Sequence, residues 1–295
     1  MRSLSPGAGP RRSLRRPAIL ARWTLLGTAC LVALPATAAQ AAPPASPTTA
    51  GRAVLSAAAA RTAPPGNALL TSGRLAATAC PEPPLVDGGV PRAREYLTAV
   101  MKCLNTSWSA HFARAERRGL HGLRFRAPAV RFYDDPVERV CGVPWPAHAD
   151  AFYCTRQGTL VFLLAGDWIE GRTDLYPLKK ATHEYGHHLQ SITGIRAAFE
   201  ARARSRRADE AELKRRYELQ ADCLSGVFLG SVRRSLTRTP KDWKALHEAI
   251  RASGDDPEYR SHGSGANRLR WFKRGYAATS PAACDTWKAP RSWVS

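Results

Sequence analysis

Residues 183–187 read His-Glu-Tyr-Gly-His, two imidazoles four positions apart with a carboxylate beside the first. On a helix, His183 and His187 are separated by about 40° of rotation and roughly 6 Å of rise, so one ion can meet both rings. Glu184 falls on the flank of that face. From there it can deprotonate a metal-activated water without being a ligand, which is the position of a general base. A solvated polar helix can match so short a pattern, so a third ligand decides the matter. Extension to H-E-x-x-H-x-x-G-x-x-H fails, because Gln190 and Thr193 occupy the required positions.

The third ligand must come from elsewhere, and "ELQADC" at 218–223 supplies it. Glu218 and Asp222 are again four apart, so both carboxylates share a helix face. Glu218 can bind the ion while Asp222 accepts a hydrogen bond from the outer nitrogen of a ligating histidine and fixes its tautomer. Small residues Ala221, Ser225 and Gly226 let this helix approach the motif helix closely. Cys223 is turned away from Glu218, and His188 from His183, so neither is expected to ligate. His₂Glu with an open fourth position is the pattern of one catalytic Zn²⁺ ion, not of a structural one.

Three blocks, "ATHEYGHHLQ", "ELQADCLSGVF" and "HGSGANRLRWFKRGY", with "FYC" ahead of them, resemble the family described as "putative neutral zinc metallopeptidase". The resemblance covers roughly residues 80–280. It implies a zincin-like fold with a Glu third ligand: His183, His187 and Glu218 on zinc, Glu184 catalytic. The expected reaction is hydrolysis of a peptide or protein substrate, with Glu184 taking the proton of the attacking water and returning it to the leaving amine. A developing oxyanion needs a further donor; the candidates are His262, Arg268, Tyr276 and Tyr217, with His262 preferred because two glycines and a helix start follow it closely. A helix cap is the competing role for His262. His111, His121, His148 and His247 stand alone and read as core or surface residues. A cell-surface zinc-binding scaffold without turnover is the second functional class, and a zinc amidase acting on cell-wall peptides is the nearer alternative; Glu184 argues against the scaffold.

The elements that must position these residues form an α+β, mostly helical chain. Leu97, Val100, Met101, Leu104, Trp108 and Phe112 recur at spacings of three and four within 91–118, an amphipathic helix entered by Pro91 and stopped by Gly119. Short strands are expected at 129–133, 150–155 and 159–165, the last two joined by a turn at 156–158, giving a small antiparallel sheet before the motif helix. Strand "TLVFLLA" could pair with a substrate backbone at a sheet edge or lie inside the core. The motif helix is expected from about 174 to 192, with Gly194 as its C-terminal cap. Further helices are expected at about 208–236, 242–252 and 265–276.

The first 38 residues have the order of a secretory signal: arginines, an apolar run from Trp23 to Leu34, then small residues. Cleavage after Ala38 and after Ala41 fit equally, and an uncleaved anchor is the alternative. The protein is therefore expected outside the cytoplasm, secreted or at the cell surface. Residues 39–78, rich in Ala, Pro and Thr, are expected to form a disordered linker, and 79–295 the metallopeptidase-like domain. Six cysteines follow the signal, an even count in an oxidising compartment that favours disulfides. Cys141–Cys154, flanking a short loop, is the first expected pair; Cys80–Cys103 and Cys223–Cys284 follow by elimination. Net charge is +20, and removing the signal with its six arginines leaves about +14. This favours association with anionic cell-wall or membrane surfaces. No segment resembles a nucleic-acid module, so no nucleic-acid partner is expected.

Overall fold

The computed structural model describes residues 66–86, 88–256 and 260–295. The expected signal and most of the expected linker lie outside them. Among the described residues, no helix is long and apolar enough to cross a membrane.

The first long helix, α1 (Gly89–Arg117), buries the apolar stripe Leu97, Val100, Met101, Leu104, Trp108 and Phe112. Gly119, at φ 83°, ends it. The Gly119 and Leu120 amides return to the Glu116 and Ala115 carbonyls, the paired bonds that satisfy a helix C-terminus when the next residue can turn left-handed. Strands β1 (Ala129–Tyr133), β4 (Ala151–Cys154) and β5 (Thr159–Leu163) form one sheet in the order β1-β5-β4. The short strands β2 (Arg139–Val140) and β3 (Val143–Pro144) make a separate ribbon.

The β4–β5 hairpin is antiparallel, but β1 joins β5 in parallel, so the sheet is mixed rather than antiparallel. Strand β5 is thereby central, paired on both sides, and Leu160, Val161 and Phe162 are fully buried. It has no free edge to offer a substrate. The near-continuous apolar run of "TLVFLL" reflects burial on both faces, as expected of an inner strand.

The motif helix α2 (Tyr176–Ile192) packs against α1 and against strands β4 and β5. Tyr185 Oη donates to Asn105 Oδ1 of α1 at 2.7 Å, and His188 Nε2 bonds the Arg126 carbonyl at 2.7 Å. Gly194, at φ 80°, reverses the chain into α3 (Ile195–Ser205), a helix not expected from the sequence. Its arginine-rich tail masks a buried face of only Ile195, Ala198 and Ala203.

Helix α4 (Glu210–Val232) then crosses α2, followed by α5 (Pro240–Ala252) and α6 (Gly265–Ala278). Residues Tyr217 to Val232 of α4 are all buried, on every face. The close approach of α2 and α4 runs through Gly186 against Ala221, and Thr182 Oγ1 bonds Ser225 Oγ at 2.5 Å. Gly226 is turned instead toward α6, where a Cβ would come within 2.1 Å of the Phe272 carbonyl oxygen.

The linker expected as far as residue 78 ends sooner. Asn67 caps a 3₁₀ turn at Ala68–Thr71, and Leu69, Leu70 and Leu75 are buried in the core. Asn67 Nδ2 also donates to the Thr193 carbonyl at 2.8 Å, joining this segment to the end of α2. Three leucines spaced along an Ala-rich stretch suffice to hold it down, although they barely alter its composition. The three disulfides are Cys80–Cys103, Cys141–Cys154 and Cys223–Cys284.

Candidate metal centre

Helix α2 presents His183 and His187, and α4 presents Glu218 opposite them. Each offers one ligand atom, all within 4.8 Å of one another, and all three residues are buried. His183 Nε2 lies 3.5 Å and His187 Nε2 3.0 Å from Glu218 Oε2.

The outer nitrogens decide what the inner ones can do. Asp222, fully buried, has an oxygen 2.8 Å from His183 Nδ1. Burial alone would raise its pKa, but Arg268 and Lys179 overcome this and hold the carboxyl well below its usual range. An ionised carboxylate only accepts, so His183 carries its proton on Nδ1.

Gln190 does the same for His187. Its Nε2 donates to the Tyr217 carbonyl at 2.8 Å and to Gln220 Oε1 at 3.0 Å, which turns Oε1 toward His187 Nδ1, 2.8 Å away. Gln220 is in turn held by the Cys284 carbonyl at 3.0 Å. This orientation is assigned from the bonding pattern, and it leaves both neutral rings with Nε2 lone pairs directed inward.

Three acceptors therefore face one another, and Glu218 Oε2 has no hydrogen-bond partner among the described residues. A cation is what such a cluster lacks, so the residues fit a metal ion of the type that takes imidazole and carboxylate. The same crowding shows in the ring of His187. Burial lowers its pKa, the Glu218 carboxylate 3.0 Å away outweighs burial, and the result is pushed up to about 9. Without an ion, a proton on Nε2 takes the place that a cation bound to the neutral ring would fill.

Beside these groups opens a cleft of about 330 Å³, lined by Glu184, His183, His262, Lys179, Arg268 and the 147–151 segment that enters β4. Glu184 sits on its wall, one residue from His183. His262 reaches the site from the loop before α6, with Nε2 3.5 Å from Glu218 Oε2. It does not cap α6, whose N-cap is Ser264. Its loop hangs on Asp255, which accepts from the amides of Ser261 (2.9 Å), His262 (2.7 Å) and Gly263 (2.8 Å). Burial pushes the His262 pKa down to about 4, so the ring is neutral.

Of the other oxyanion candidates, Arg268 lines the cleft but Tyr276 and Tyr217 do not. Arg268 is bound to Asp222, Tyr276 packs against Trp243 and Phe272, and Tyr217 stacks its ring on His187 at 4.9 Å. His188 bonds Tyr153 Oη and the Arg126 carbonyl, and His111 bonds Ser72 Oγ; both act within the fold. His148, read from the sequence as standing alone, is on the rim of the cleft. Sequence reasoning also missed Gln190, Asp255 and Lys179. The one available signal was that Lys179 lies a single turn ahead of His183 on the same helix.

A family model described as "Putative neutral zinc metallopeptidase" matches residues 90–287. The chain belongs to this family. An "Uncharacterized protein YpfJ" from Escherichia coli (strain K12) is 27% identical over 220 residues, covering 66% of this chain and 71% of the relative. An "Uncharacterized protein Rv2575" from Mycobacterium tuberculosis (strain ATCC 25618 / H37Rv) is 30% identical over 192 residues, 56% of this chain and 64% of the relative. No solved structure matches the chain.

Proposed function

We propose that this protein is an exported, zinc-dependent peptidase that hydrolyses peptide bonds with Glu184 as general base. The observation that carries the reading is the set of three inward-facing acceptors, two of them locked in tautomer by Asp222 and Gln190, next to a carboxylate that is not among them. A zinc ion bound by His183, His187 and Glu218 would supply Lewis acidity, polarising a peptide carbonyl and making a nearby water more acidic.

The chain's own groups do the rest. Glu184 takes the proton of the attacking water onto a carboxylate oxygen and delivers it to the leaving nitrogen. When Ser261 Oγ, 2.8 Å from His262 Nδ1, donates to that nitrogen, the neutral ring holds its proton on Nε2. It can then donate a hydrogen bond to the developing oxyanion. The 147–151 segment forms part of the cleft wall and is tied to α2 by the Asp150–Lys180 ion pair. Three disulfides support export, since such bonds persist in oxidising compartments.

The test is metal analysis joined to digestion of a peptide library by the wild type, E184Q and E218A. The wild type should hold one zinc and cleave. E184Q should keep zinc and lose turnover, and E218A should lose zinc. A fully loaded wild type that cleaves no peptide would turn the reading toward a zinc-carrying scaffold, and metal-free protein that still cleaves would end it.

A further inference from the structure

Asp222 serves three donors at once. Lys179 Nζ lies 2.8 Å from Oδ1, the atom that also holds His183 Nδ1 at 2.8 Å. Arg268 reaches the same carboxylate from α6, with Nε 2.8 Å from Oδ2 and Nη2 3.2 Å from Oδ1. Both cations are buried, Lys179 at 4% and Arg268 at 8% exposure, and both line the cleft beside Glu184. Among the described residues, Asp222 is the one carboxylate within ion-pair distance of either.

Two positive charges thus share one negative charge in a place poorly reached by water. The neighbouring pair does not relieve them, because Asp150 is already engaged by Lys180. Glu184 and Glu218 bring two negative charges, and a divalent ion bound at the centre cancels those. The loaded cleft keeps a surplus of one positive charge, and an uncompensated buried charge is costly unless something pairs with it. Arg268 Nη1 is also tied to the Ser253 carbonyl at 2.6 Å, so the guanidinium is fixed in place rather than free to swing into solvent.

We propose that Lys179 and Arg268 form the binding site for a carboxylate of the substrate, so that the enzyme acts on peptides bearing a negative charge close to the scissile bond. This rests on the peptidase reading and adds a substrate class to it. Because Lys179 and His183 hang on one oxygen, the charge must lie within one or two residues of the bond cleaved, at about 3.3–3.6 Å per extended residue. Two sources offer this group: the C-terminal α-carboxylate, or an Asp or Glu side chain.

The experiment has a kinetic arm and a binding arm. A peptide cleaved by the wild type is resynthesised with the scissile bond next to a free C-terminus, with that terminus amidated, and amidated with Asp in the terminal position. A carboxylate should raise kcat/KM by about 10- to 100-fold over the neutral amide, the scale of a charge-assisted hydrogen bond. Preference for the free terminus identifies the α-carboxylate, and equal preference for the Asp peptide identifies the side chain. Equal rates on all three peptides overturn the proposal while leaving the peptidase reading intact.

In the binding arm, zinc-loaded E184Q is titrated calorimetrically with N-acetyl-leucine and N-acetyl-leucinamide. The acid should bind at least tenfold more tightly. Lys179→Met in the same background should erase that difference, titrated in buffer with enough zinc to keep the site loaded and with one bound ion verified by metal analysis. Arg268→Gln under the same conditions serves if the first variant does not fold. A difference that survives the substitution shows that the carboxylate binds the metal instead, and the proposal fails.

Discussion

At the scale of single residues, the chemistry was legible where it follows from spacing and hidden where it depends on what faces a ring from behind. His183, Glu184, His187, Glu218 and Asp222 can be placed together from two helical repeats of four. Gln190 could be read only as a break in a longer histidine pattern, because the carbonyl that orients it belongs to Tyr217, 27 positions on. Its role makes a specific prediction. Gln190→Leu removes the acceptor of the His187 Nδ1 proton, so the ring is free to take the wrong tautomer. Zinc affinity should fall by about 10- to 100-fold, as read by competition with a chromophoric chelator. Asp255→Asn tests a different link. It weakens three amide contacts that carry His262, so peptide turnover should drop while zinc affinity stays as it was. If both quantities fall together, the loop supports the fold and does not position His262.

At the scale of elements, the helices could be read from apolar periodicity, and the departures have identifiable causes. Helix α3 was missed because only three of its residues are buried and the rest are mostly polar or charged. The mixed sheet could not be foreseen, since the pairing of β1 with β5 joins strands that are remote in sequence and obeys no turn signal. The small residues of α4 were correctly read as permitting close approach, but the partner was divided between two helices. Gly226 and Gly275 set the α4–α6 contact, where Cβ atoms would come within 2.1 Å of the Phe272 oxygen and 2.0 Å of the Cys223 oxygen. Gly226→Ala must therefore push two backbones apart. The expected loss is about 1–3 kcal/mol, or roughly 2–12 °C in Tm for a domain of this size, measured by thermal denaturation of the metal-free protein. Because α6 carries Arg268 to Asp222, the same variant should also bind zinc less tightly.

At the scale of the whole molecule, charge and disulfides act on different properties. The Cys223–Cys284 bridge links α4 to the C-terminal segment whose carbonyl holds Gln220, so it lies behind the metal centre as well as within the fold. Charge acts at the surface. Eight arginines and no carboxylate precede residue 66, so residues 66–295 still carry +12 of the chain's +20. Much of it sits in exposed arginines such as Arg204, Arg206 and Arg207, which lie between His187 and Glu218 in sequence but do not line the cleft. Such a balance should hold the protein on anionic cell-wall polymers or lipid headgroups near the membrane. The attraction is screened as the Debye length falls from about 8 Å at physiological ionic strength to 3 Å at 1 M salt. Vesicles containing phosphatidylglycerol should therefore retain the full-length protein in 0.05 M salt, as an order-of-magnitude choice, and release it on the order of 1 M. Vesicles of phosphatidylcholine alone should not retain it. Zinc content should be unchanged by release, because the ligands are buried and the exposed arginines do not line the cleft. Retention that persists in high salt would mean that apolar contacts, not charge, hold the protein to its surface.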